Sequence, residues 1–195
     1  VRVTAFDASH NVATQFTGGV TLALTPGTGT LNANLSHLSQ VTVLAVAGVA
    51  TFPTLSVDSV GNNYQLTATG PATITSTAFS IVPAPASVLV FTTQPGNRVA
   101  GVNNTLAVTA RDSLGNRATS FNSSVTLTIN SGPTLGTILS GGLATASTGL
   151  ASFPALQNGI VGTYTLSASG GGVSTAAPSD PYNITPATAA ALFFT

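Results

Sequence analysis

The chain has 195 residues, only 4% of them charged; four arginines balance four aspartates, and cysteine is absent. Disulfides and thiolate metal sites are thereby excluded, and Arg2, Arg98, Arg111 and Arg117 are too few and too scattered to neutralise a nucleic-acid backbone. Mean hydropathy is positive at +0.44, yet no apolar run approaches the roughly 20 residues of a membrane-spanning helix.

The hydrophobic residues are spread instead in short alternating runs, the period of two expected of strands. Val3-Thr-Ala-Phe leads into a turn between Asp7 and Asn11, and Val20-Thr-Leu22 resumes the alternation as far as Leu24. Residues 41–46 form the next predicted strand, followed by a turn at Gly48 and a strand over 50–55. Tyr64-Gln-Leu-Thr-Ala68 and Phe79-Ser-Ile81 close the series. Residues 81–87, IVPAPAS, form a joint that Pro83 and Pro85 stiffen. Beyond it Leu89 and Phe91 alternate with Val88 and Val90, and Leu106, Val108 and Ala110 alternate with Thr105, Ala107, Thr109 and Arg111. Asp112-Ser-Leu-Gly-Asn116 supplies turn chemistry, since Asp and Asn bond nearby backbone and Gly tolerates positive φ. Val125, Leu127 and Ile129 follow, then Gly149 to Leu156, Tyr164 to Ala168 and Tyr182-Asn-Ile184.

Much of this is one unit written twice. Val3-Thr-Ala-Phe-Asp7…Asn11 corresponds to Val108-Thr-Ala-Arg-Asp112…Asn116, and Val20-Thr-Leu22 to Val125-Thr-Leu127. Gly48-Val-Ala-Thr-Phe-Pro-Thr-Leu55 corresponds to Gly149-Leu-Ala-Ser-Phe-Pro-Ala-Leu156, and Tyr64, Phe79 and Ile81 to Tyr164, Tyr182 and Ile184. His10 stands where the second copy has Gly115, so the two turns are expected to differ in shape. The repeat predicts an all-β chain of two tandem antiparallel sandwiches, over 1–85 and 86–189. Buried positions should include Leu22, Leu24, Phe52, Leu55, Tyr64 and Leu66, and likewise Leu127, Ile129, Phe153, Leu156, Tyr164 and Leu166. Each of Tyr64 and Tyr164 is expected to bury its ring and bond its hydroxyl to nearby backbone.

The ends are offset. Val1 aligns with Leu106, so the first unit is expected to lack its own first strand, while Ala190-Ala191-Leu192-Phe193-Phe194-Thr195 aligns with Ser87-Val-Leu-Val-Phe-Thr92. Residues 190–195 thus read as the surplus first strand of a following unit, a donor strand for the first sandwich of another copy. The other reading of these ends is an excerpt from a longer repeat protein.

The runs TTQPGNRVAGVNNTLAVTARDSLGN, TSFNSSVTLTI, GLASFPAL and GTYTLSASG resemble the bacterial immunoglobulin-like (Big-type) repeats found in tandem in surface adhesins and invasin-like proteins. The resemblance implies immunoglobulin-like sandwiches and a cell-surface role as stalk or assembly module. A lysine-free surface rich in Thr, Ser and Asn likewise points outside the cell, and the absent initiator methionine fits a processed secreted product or an excerpt. The functions expected are therefore a head-to-tail surface filament built by donor-strand complementation or, alternatively, a stalk of spacer repeats.

Little else carries chemistry. His10 and His37 do not match between the copies, and no nucleophile–histidine–acid set can be assembled, so no enzyme is expected. No cofactor is expected either; calcium needs six to eight oxygens, and Asp7, Asp112 and Asp180 are the acids that would serve a structural ion. Asn34, Asn103, Asn122 and Asn183 each begin the Asn-x-Ser/Thr glycosylation pattern, which makes glycans a candidate surface partner.

Overall fold

The computed structural model describes residues 1–30, 33–36, 38–133 and 137–191, with Leu139 described by its backbone alone. Among them there is no helix, and so none long and apolar enough to cross a membrane. The chain divides into two compact units, Val1–Val82 and Pro83–Thr195. The expected boundary lay at 85; the prolines of the joint belong with the second unit, where the Ala84 amide donates to Asp112 Oδ2 at 3.2 Å.

The second unit holds β9 (Val88–Thr93), β10 (Arg98–Val99), β11 (Asn104–Arg111), β12 (Ser124–Ser131), β13 (Ile138–Ser140), β14 (Leu143–Thr145), β15 (Leu150–Asn158), β16 (Gly162–Gly170), β17 (Val173–Ser174) and β18 (Tyr182–Thr185). One sheet runs β13-β15-β11-β9; the other runs β10-β18-β16-β12-β14, with β17 on β16. Among the described residues the unit's strand ladders are antiparallel except that of β10 with β18. Alternation sets which side chains turn inward: Leu89, Phe91, Leu106, Val108 and Phe153 from one sheet meet Val125, Leu127, Leu166 and Ile184 from the other in a single core. Two sheets over one apolar layer fit a β-sandwich.

The first unit holds β1 (Arg2–Thr4), β2 (Gly19–Leu24), β3 (Gln40–Leu44), β4 (Val49–Thr51), β5 (Gly61–Tyr64), β6 (Leu66–Thr69), β7 (Thr73–Thr75) and β8 (Phe79–Ile81). Its sheets run β3-β2-β6-β7, β1-β4 and β5-β8. The arrangement follows the second unit in smaller pieces: the single long strand β16 corresponds to β5 and β6, broken at Gln65. The strands expected over 41–46 and 50–55 are shorter or shifted, ending at Leu44 and Thr51.

Nine of the twelve expected core residues are buried, but Leu24, Leu55 and Ile129 are only half-buried. Leu24 ends β2 and Leu55 lies beyond β4, while Ile129 sits at the irregularity in the pairing of β12 with β16. The hairpins after β3 and β14 close on Ala47-Gly48 and Thr148-Gly149, all four at positive φ (49° and 82°; 47° and 84°). A two-residue turn with both residues left-handed matches the right-handed twist of the flanking strands. A Cβ on Gly48 or Gly149 would also collide with the carbonyl oxygen of Ala13 or Ala118, at 2.7 and 2.6 Å.

The expectation that the Asp7 and Asp112 turns would differ is not met. The Ser9 and Asn11 amides donate to Asp7 Oδ1, both at 2.9 Å, as those of Leu114 and Asn116 donate to Asp112 Oδ1 at 3.0 and 2.8 Å. His10 takes φ +64° where Gly115 takes +85°. The carboxylate bonds impose the turn, and the histidine adopts the left-handed backbone that the glycine adopts freely.

Candidate functional site

The two units differ most at one place. In the second, β9 lies antiparallel to β11, with Leu89 opposite Ala110 and Phe91 opposite Val108. Its other side meets the opposite sheet, where Leu89 forms a parallel bridge with Thr175. The chain then continues through β10, parallel to β18, held by the Asp180 amide on Gln94 Oε1 (2.9 Å) and the Asn183 amide on Asn97 Oδ1 (2.7 Å). Residues 88–99 thus cover the core along one flank.

In the first unit the same flank is an open apolar groove. Its central stretch, about 370 Å³, runs between β1 (Val1, Val3) and β7 (Ile74, Thr75), over Leu22 and Leu66. At one end it continues past Phe6 and Pro71, and at the other past Leu55, Phe79 and Ile81. Matched residues show what the covering strand does. Leu106 is 1% exposed and its counterpart Val1 57%; Val108 and Ala110 are buried where Val3 and Ala5 are half-buried, and Tyr182 and Ile184 are buried where Phe79 and Ile81 are half-buried. Among the described residues, β1 pairs only with β4 and β7 only with β6, so each presents an edge to the groove.

The groove is otherwise built like a finished core. Tyr64 donates its hydroxyl to the Ser59 carbonyl (2.8 Å) and Tyr164 to the Ile160 carbonyl (2.7 Å). Each ring stacks on the late aromatic of its own unit, Phe79 or Tyr182, with centroids 5.8 Å apart in both cases. Tyr182 also donates to Asn158 Oδ1 at 2.9 Å; burial, and then the neighbouring Tyr164, push its pKa up to about 12. The Nδ2 of buried Asn158 has no partner among the described residues.

The remaining predicted sites stay apart. Ala190 and Ala191 are exposed, while Leu192, Phe193, Phe194 and Thr195 lie outside the described residues, as does His37. Asp7 and Asp112 are occupied by their own turns. The Asn11 backbone amide is the main cause of the lowered Asp7 pKa; for Asp112, burial opposes ionisation but is outweighed by donors from Asn116, Ala84 and Leu114. Among the described residues no three His, Asp or Glu side chains gather as metal ligands. The four asparagines of the glycosylation pattern are exposed. Asn34 bonds Asp58 (amide to Oδ1 2.9 Å, Nδ2 to Oδ2 3.1 Å), and Asn122 accepts the Thr148 amide at 2.8 Å. Asn103 accepts Gln157 Nε2 at 2.6 Å, and Asn183 accepts the Thr163 hydroxyl at 2.7 Å.

Sequence reasoning did not single out Phe6 or Ile74, which wall the groove and are 58% and 65% exposed. The available signal was Phe6 standing where the second copy has Arg111. No protein-family model matches the chain, and no curated protein is significantly similar to it.

Proposed function

We propose that this chain is an extracellular structural protein of tandem immunoglobulin-like sandwiches, whose first unit takes up a β-strand from a second copy, so that copies join head to tail into a surface filament. The observation that carries the reading is the groove between β1 and β7, which in the second unit is the bed of β9. The tyrosine hydroxyls that bond backbone a few residues upstream support the immunoglobulin-like reading of both units. The low charge and the Big-type resemblance support a place on the cell surface.

The donor proposed is Ala190 to Thr195, which carries Leu192 and Phe194 where β9 carries Leu89 and Phe91. Burying those two side chains would contribute roughly 1.5–3 kcal/mol each, and the new strand would pair with the β1 edge by β-augmentation. Ordering the segment and losing translational freedom offset part of this gain. A contact between different surfaces propagates as a fibre unless it closes into a ring.

A second reading is favoured by the length of the groove. Its reach to Phe79 and Ile81 matches the footprint of residues 88–99, longer than 190–195. On this reading the strand comes from a longer segment of the same polypeptide, and the units are spacer repeats of a stalk.

Sedimentation velocity and negative-stain microscopy of the purified chain separate the two. Strand exchange requires polymers that grow with concentration and vanish when residues 192–195 are deleted. Fibres from the truncated chain would refute the exchange. A chain that stays monomeric at all concentrations, with its first unit stabilised by a synthetic peptide of residues 86–101, would establish the second reading.

A further inference from the structure

We infer, resting on the strand exchange proposed above, that Phe6 and Val12 make the first unit a selective acceptor for residues 190–195 of a second copy, in a defined register. The two units differ at this pair. Phe6 and Val12 form an antiparallel bridge at the mouth of the Asp7 turn, as Arg111 and Arg117 do at the Asp112 turn. In the second unit both arginines are tied to turns: Arg111 Nη1 donates to the Gly115 carbonyl at 2.6 Å, and Arg117 Nε to the Thr148 carbonyl at 2.7 Å. In the first unit the two positions are apolar yet exposed, Phe6 at 58% and Val12 at 42%. Phe6 also belongs to the wall of the groove, with Val3, Ala68 and Ile74.

The register follows from the second unit. There Arg111, Ala110, Thr109 and Val108 lie opposite Val88, Leu89, Val90 and Phe91. Carried through the aligned residues, this sets Phe6 opposite Ala191, Ala5 opposite Leu192, Thr4 opposite Phe193 and Val3 opposite Phe194. The incoming strand runs antiparallel to β1, and by analogy with Leu89 and Thr175 it runs parallel to β7, with Leu192 beside Ile74, which lies opposite Ala68 as Thr175 lies opposite Ala168. Leu192 and Phe194 then enter the groove, and Ala191 and Phe193 lie on the outer face, at the groove's rim with Phe6.

On that outward face the donor differs from β9 in a matching way. The two valines of β9, Val88 and Val90, become a small residue and a large one, Ala191 and Phe193. Ala191 leaves room opposite the Phe6 ring, and Phe193 lies on the diagonal, within reach of an aromatic partner. Arginines in place of Phe6 and Val12 would set charged, hydrated groups against that apolar pair. Large apolar side chains beside an unpaired edge suit a partner strand with the same character.

The test uses the full chain and its truncation at residue 191. A synthetic peptide of residues 186–195 is titrated onto the truncated chain, and self-association of the full chain is followed by sedimentation velocity. Replacing Phe6→Arg and Val12→Arg together should weaken both by about tenfold. The unliganded first unit should keep its melting temperature, because the second unit folds with arginines at these positions. Phe193→Val should weaken binding several-fold in the parent and have no further effect in the arginine variant, since coupled residues are not additive. Equal binding by parent and arginine variant, or an additive Phe193→Val effect, would overturn the inference while leaving strand exchange standing. Failure of the peptide to bind the parent would overturn both. A full chain that stays monomeric at all concentrations would likewise overturn both.

Discussion

Removing the hydroxyl of Tyr164, as Tyr164→Phe, separates what the ring contributes from what its anchor contributes. The ring is fully buried, stacked on Tyr182, and held by a 2.7 Å bond to the Ile160 carbonyl. A neutral hydrogen bond contributes about 0.5–1.5 kcal/mol net. Ile160 is 37% exposed, so its carbonyl regains water when the donor leaves, and the cost should fall near the middle of that range, about 1 kcal/mol. In a unit of this size that lowers the melting temperature by about 4–8 °C. Tyr164→Ala instead empties a buried aromatic site and should cost about 3–5 kcal/mol. Tyr64→Phe, which loses the 2.8 Å bond to Ser59, should repeat the smaller loss in the first unit. Scanning calorimetry with near-ultraviolet circular dichroism reads these losses. A neutral Tyr164→Phe, or one as damaging as Tyr164→Ala, would refute the separate contribution of the hydroxyl.

Two further outcomes follow from single residues. Ala47 is left-handed at φ +49° beside Gly48, so Ala47→Asn, which creates the Asn-Gly pair favoured in such turns, should stabilise the first unit by about 0.5–1 kcal/mol in urea melts; a loss of stability would contradict the turn assignment. Tyr182 has its pKa raised to about 12, so the folded state holds the proton more tightly than the unfolded chain does. The stabilisation is fully present below about pH 10 and is lost as pH rises from 10 towards 12, at most about 2 kcal/mol. Denaturant midpoints from pH 9 to 12 should therefore fall more steeply for the parent than for Tyr182→Phe; parallel curves would argue against a buried phenol. The first unit carries Phe79 at this place and should lack the dependence.

What the sequence determined by itself is local. The inward set of β9 and β11, namely Leu89, Phe91, Leu106, Val108 and Ala110, was legible because a strand's side-chain period is a property of the backbone alone. The turns at Asp112 and Gly48 were legible because only certain side chains satisfy a tight turn, and Tyr64 and Tyr164 showed themselves by recurring in matched strands. The tertiary structure decided what depends on distant neighbours. Alternation says which way Val1 and Leu106 face, but only the strand lying over them decides that one is exposed and the other buried. Leu24 and Ile129 keep the inward phase of their strands yet are only half-buried, because coverage depends on neighbours distant in sequence. The parallel pairing of β10 with β18, and of Leu89 with Thr175, joins segments more than eighty residues apart in sequence, and no local pattern encodes it. The groove is likewise a relation between β1, β6 and β7, visible only once the chain has brought those edges together around a shared core.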